Sequence, residues 1–171
     1  PELIDRPLLY EYNTWRAMEV LNDNIETYPH LKFDLDGQPN TTAPGKMADM
    51  EVEFDNFWLV VEVTLQTGMK QFEAEGESIY RHTGTFQKER LKQGDKRPVY
   101  GLFLAERINE NVKNYLRGIS VMPSKAYSGP VRIFPIERVE FVAMIELAMT
   151  SPSTANKLMM SLNQIFTDAR D

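Results

Sequence analysis

The sequence predicts an α/β domain with a mixed central β-sheet flanked by helices. Three observations carry that expectation. A strand pair with a two-residue turn occupies 47–54 and 57–65. Strand-like runs then alternate with helix-period segments, so the later strands need crossover connections and pair in parallel. Finally, 171 residues of which 42% are hydrophobic and 11% aromatic supply one substantial core without a disulfide or metal staple.

The elements read as follows. A first helix starts at 5–7, where Pro7 is tolerated in the first turn, and runs to about 21. Residues 22–46 are rich in Asn, Pro and Gly and read as a long loop with one short strand. Polar and apolar residues alternate over 47–54, and 57–65 is mostly apolar; both read as strands. A long helix spans 67–91, with an interruption expected at Gly84. Gly94 and Pro98 turn the chain into a strand at 99–104. A helix at 107–118 and a strand at 131–134 follow, then closing helices at 136–149 and 153–169. Residues 1–171 read as one domain, and a start at Pro1 reads as a piece of a longer protein.

Charge and composition exclude several classes. Lys and Arg total 19 against 25 Asp and Glu, a net charge of −6, which argues against an autonomous coat for a polyanion. The chain has no cysteine, which removes disulfides, thiolate metal sites and cysteine nucleophiles. Its two histidines, His30 and His82, are too few for a histidine cage. No run approaches the ~18 apolar residues of a membrane span, and a cytoplasmic setting is expected.

The hairpin places acids against each other. With Asp55-Asn56 as the turn, Phe54 pairs with Phe57 and Asp49 falls opposite Glu62. Like charges opposed on one sheet face destabilise it, and Glu62 sits in a strand that reads as buried. A divalent cation resolves the conflict, and an all-carboxylate donor set suits a hard ion such as magnesium. On the long helix the sheet-facing stripe reads Gly68, Phe72, Glu75, Ile79, His82, Phe86, so Glu75 and His82 interrupt an apolar face. Glu11 interrupts the stripe of the first helix in the same way. Each has a bland alternative: Glu11 or Glu75 as a stripe-edge acid reaching solvent, His82 as a core histidine bonded to a carbonyl or to Glu75. Together they suit metal-assisted hydrolysis of a phosphodiester, with His82 orienting or deprotonating water.

Met47-Ala48-Asp49, then twelve residues, then Glu62-Val63-Thr64 resembles the PD-(D/E)XK nuclease motif on its hairpin. With Gly68 to Glu77, Arg81-His82 and Glu11-Tyr12-Asn13-Thr14-Trp15, the chain is similar to the cleavage domain of type IIS restriction and nicking endonucleases of the AlwI, PleI and MlyI kind. The similarity covers roughly 8–150 and implies a restriction-endonuclease-like core. It implies Glu11, Asp49, Glu62, Glu75 and His82 as catalytic residues. It also implies Asp49, Glu62, Glu75 and the main-chain carbonyl of Val63 as ligands for one or two Mg2+ ions, with Mn2+ as a substitute. Two positions depart from the motif. Ala48 replaces the usual proline, with Pro44 upstream, and Thr64 replaces the usual lysine. That leaves the lysine's role to a second cation, to His82 or to Lys70, with Thr64 and Lys70 as accessory candidates.

Ser124 to Gly129 looks like the lysine segment of the FokI cleavage domain, but Pro123 stands where an acid is required, so it reads as a loop. His30, Glu51, Glu53 and Asp55 read as solvated surface. So does the basic run Lys88, Arg90, Lys92, Lys96, Arg97, with some prospect of touching phosphates. Met144, Met149, Met159 and Met160 suit a core or a helix contact.

The leading expectation is a bacterial Mg2+-dependent endonuclease domain that cuts one strand of double-stranded DNA per active site. An upstream region would read the sequence, and a second catalytic subunit or copy would complete a double-strand break. The alternatives are a repair or recombination nuclease of the same superfamily acting on structured DNA, and a catalytically inactive interaction domain.

Overall fold

Phe54 and Phe57 close the hairpin that sets the sheet: the Phe54 N–H donates to the Phe57 carbonyl at 2.9 Å, and the two rings stack with centroids 4.2 Å apart. In the computed structural model, residues 5–20, 26–150 and 157 are described. The elements in chain order are α1 (Arg6–Val20), β1 (Thr27–Pro29), β2 (Lys32–Phe33), β3 (Pro39–Thr41), β4 (Met50–Glu53), β5 (Trp58–Thr64) and α2 (Gly68–Lys92). They continue as β6 (Val99–Ala105), α3 (Glu110–Ser120), β7 (Pro123–Ser124), β8 (Gly129–Pro130), β9 (Arg132–Glu137) and α4 (Arg138–Met149).

The main sheet has the order β1-β4-β5-β6-β9. β1, β4 and β5 pair antiparallel, while β5, β6 and β9 pair in parallel through α2 and α3, so the sheet is mixed as expected. Met50 lies opposite Val61 and Glu53 opposite Trp58, the register read from the turn. Side chains alternate across the sheet. Met50, Val52, Leu59 and Val61 join Met18 and Phe141 in a core beneath α1 and α4. Trp58 and Val60 join Ile79, Val112 and Leu116 beneath α2 and α3. Glu62, two residues beyond Val60, therefore faces α2.

Several expectations are corrected. Residues 27–41 hold three short strands instead of one: β1 extends the sheet edge beside β4, and β2 pairs with β3. The helix α2 runs uninterrupted through Gly84. That glycine answers to packing, since a Cβ there would stand 2.4 Å from Cγ of Tyr127. The 124–129 loop joins β7 to β8 and brings Tyr127 onto α2, where Gln87 Nε2 also donates to the Tyr127 carbonyl at 2.9 Å. β9 persists to Glu137, and α4 begins after it with a Glu137–Glu140 capping box. The helix expected at 153–169, with Met159 and Met160, lies outside the described residues. Met144 packs against the α1/α4 core, whereas Met149 is exposed. No helix among the described residues is long and apolar enough to cross a membrane.

The charges assigned to solvent are also more engaged than expected. Arg97 donates to Asp95, to Glu53 at 2.8 Å and to the Phe54 carbonyl at 2.8 Å, which pins the hairpin turn to the β6 entry. Asp95 also accepts from the Trp58 indole at 2.8 Å, and the Arg90 guanidinium lies 4.6 Å over the Trp58 ring. His30 is half-buried and pairs through Nε2 with Glu51.

Candidate active site

The site forms where β5 ends and α2 passes over it. Ile79, fully buried, fixes the rotation of α2; Glu75 lies one turn before it and His82 one turn after, on the same face. His82 Nδ1 is hydrogen-bonded to Glu62 Oε1. Asp49 lies one residue before the β4 ladder, and its carboxylate accepts from the Val63 N–H at 2.6 Å. Thr64 donates its hydroxyl to Glu75 at 3.3 Å and accepts from the Gln66 N–H at 3.0 Å. Glu11 comes from α1, on the opposite layer, and accepts from the Ala43 N–H at 3.3 Å.

These side chains line one cavity of about 390 Å³. Glu11, Asp49, Glu62, Val63, Thr64, Glu75 and His82 all border it. Lys70 does not; it is exposed on the first turn of α2, away from the lining. The sequence reading missed Tyr10 and Ser78, which also line the cavity. It also missed Gln71, a fully buried residue beneath the site. Gln71 Nε2 donates to the Gln66 carbonyl at 2.9 Å and the Arg107 carbonyl at 3.0 Å, and its Oε1 accepts from the Asn109 N–H at 3.0 Å. Its spacing of four from Glu75 was the available signal.

Burial dominates the electrostatics. It pushes the Glu11 carboxyl up to about 7, against the lowering effect of the Ala43 N–H. Burial raises Asp49, and the charges of Glu62 and Glu11 add to the shift. Burial raises Glu62, reinforced by Glu75 and Glu11. Glu75 is raised by burial and eased by its Thr64 bond. His82 is lowered by burial and by the nearby Arg81 charge. Burial thus disfavours the charged form of both partners in the His82–Glu62 contact. His82 Nε2 is left buried and without a hydrogen-bond partner among the described residues.

The donor chemistry suits a hard divalent cation. Among the described residues, each of the four acids engages one carboxylate oxygen with a protein hydrogen-bond partner and leaves the other unbonded. No group of three or more His, Asp or Glu side chains among them is closed into a coordination shell. The ligand set fits by type, and side-chain rotation would be needed to gather it.

The sequence pattern of the AlwI restriction endonuclease family matches residues 4–144. The chain belongs to this family. Among solved structures, the small subunit of the heterodimeric restriction endonuclease R.BspD6I is similar, with a TM-score of 0.77 and 26% identity over 96% of this chain and 82% of that one. A search of curated proteins gives no match. As a member of the AlwI family, the chain is a restriction-type nuclease by descent, with a restriction-endonuclease-like fold. Its hairpin carries Thr64 where the wider motif has lysine, and here that threonine braces Glu75.

Proposed function

We propose that this chain is a single DNA-cleaving domain that requires Mg2+ and hydrolyses one phosphodiester strand per active site, as type IIS restriction and nicking endonucleases do. The observation that carries the reading is the meeting of Glu11, Asp49, Glu62, Glu75 and His82 around one cavity, with His82 bonded to Glu62. Asp49, Glu62, Glu75 and the Val63 carbonyl would hold one or two Mg2+ ions, or Mn2+ in their place. When bound, the metal supplies Lewis-acid polarisation of the phosphoryl oxygen and acidifies water.

The chain's own residues do the rest. His82 Nε2 has no partner among the described residues and would receive a proton from the attacking water, while the Nδ1 bond to Glu62 orients the ring. Glu11 positions water from the opposite layer. Thr64 is too short and uncharged to replace the usual lysine, and Lys70 stands outside the cavity, so this support rests on His82 and the cation. Sequence reading is assigned to a region beyond this chain. The R.BspD6I neighbour is a subunit of a heterodimer, which supports a second catalytic subunit for double-strand cleavage. The cytoplasm of a bacterium is the setting proposed.

A plasmid-nicking assay tests the reading. Wild type is expected to nick in Mg2+ and not in chelator, with nicking lost in Asp49→Ala and Glu62→Ala. Mg2+-independent background that is equal in all three proteins would overturn it.

A further inference from the structure

Residues 42–47, between β3 and β4, form a partition between two cavities. Ala43 holds Glu11 on the catalytic side, and the Met47 N–H closes a turn onto the Pro44 carbonyl at 2.9 Å. The second cavity, about 690 Å³, meets the catalytic one at Gly45, Met47 and His82, which border both.

The two compartments have opposite character. The catalytic side gathers carboxylates, whereas Lys46 and Arg81 border the second. Lys46 is exposed and makes no ion pair among the described residues. Among the described residues Arg81 engages only Nε, with exposed Glu77 at 3.2 Å, which leaves its terminal N–H groups available. Thr85 follows one turn along α2 and adds a hydroxyl. The acids on this wall are Glu51, already paired with His30, and Glu89. Glu89 lies eight residues beyond Arg81, about 12 Å along the helix. Lys46 and Arg81 thus bring positive charge to the end against His82, where Glu51 is held by His30.

A nucleic-acid strand lying in the catalytic cavity must continue out of it, and its next phosphate needs positive or N–H donors. We infer that the second cavity seats the phosphate adjacent to the scissile one on the cut strand, with Lys46 and Arg81 as its ligands and Thr85 as a further donor. This rests on the nuclease reading above and assigns the direction in which the substrate strand leaves the site: past residues 42–47 and along α2.

Two measurements test it. The first is anisotropy of a labelled duplex in Mg2+, with Glu62→Gln in every protein to silence cleavage. Lys46→Ala and Arg81→Ala are each expected to weaken binding about 3–10-fold and to reduce the log–log salt slope by about 1, equally for all DNA sequences. The second uses otherwise wild-type protein: each variant should raise KM while kcat at saturating DNA stays within about twofold. Arg16→Ala on α1 and Arg117→Ala on α3, which border neither cavity, should change neither quantity, and melting temperatures confirm folding. Wild type that cleaves in Mg2+ while the Lys46/Arg81 double variant binds with unchanged affinity and slope overturns the phosphate seat alone. Equal losses in the Arg16 and Arg117 controls also overturn it. Wild type that neither binds nor cleaves DNA overturns the nuclease reading and this inference together.

Discussion

His82 shares one hydrogen bond with Glu62 through Nδ1, and its other ring nitrogen is buried with no partner among the described residues. The two residues should therefore act as a unit. His82→Ala is expected to lower the nicking rate about 10²–10⁴-fold, the usual range for a lost acid–base group. The Glu62→Gln/His82→Ala double variant should be no slower than the slower single variant. Rates of nicked-circle formation under saturating DNA decide this; losses that multiply would show that the two residues work independently.

The carboxylates should destabilise the metal-free fold. In the folded chain Glu11 keeps its proton up to about 7, against an ordinary value of 4.5. Between those values the unfolded chain binds fewer protons, so stability falls as pH rises. Asp49 is shifted the same way and extends the trend upward. In chelator, Glu11→Gln is expected to flatten the melting-temperature slope between pH 4.5 and 7. Asp49→Asn keeps an oxygen for the Val63 N–H and should melt higher than wild type at pH 8, by about 2–4 °C for each kcal/mol recovered. Thermal scans across pH show the opposite sign if the cluster is stabilising.

Asp95 predicts the reverse dependence at the other end of the sheet. Its bonds from Arg97 hold its carboxyl below the ordinary carboxylate range, with the Trp58 indole assisting. A depressed pKa contributes stability that is present above the ordinary value of 3.8 and lost as pH falls through the folded value. Asp95→Asn should melt below wild type at pH 7, and the gap should narrow on acidification below pH 3.8. A gap that stays constant into acid would place the effect in packing instead.

Gly84→Ala should cost about 1–3 kcal/mol by overpacking against Tyr127. The loss should shrink when Tyr127→Ala is combined with it, because the offending ring is gone. Denaturant unfolding of the two single variants and the double variant measures the coupling. Strictly additive losses would place the effect outside the Tyr127 contact, since alanine is the better helix former at this position.

The sheet core and the acids at its edge were legible because they obey short-range rules. A two-residue turn fixes register, so Asp49 and Glu62 could be opposed from numbering alone, and helical spacing placed Glu75 and His82 on one stripe with Ile79. What was not legible depends on distant partners. β1 is three residues long and carries no periodicity; its place is decided by β4. Arg97 looked like one cation in a basic run, yet its bonds reach Glu53 and Phe54 across the turn. Gly84 suggested a break in α2 because sequence alone cannot show Tyr127 pressing on that face. Lys70 shares the helix with Glu75, but an exposed first-turn position carries it away from the cavity.

Gln71 has a consequence for how the site responds to its ligand. By joining the carbonyls of Gln66 and Arg107 to the Asn109 N–H, it locks the main chain leaving β5 to that leaving β6. The floor under the carboxylates is thus set before anything binds. A cation held as proposed would meet side chains that turn above this fixed floor. Rearrangement on that scale stays short of the collective hinge and lid motions that take microseconds to milliseconds.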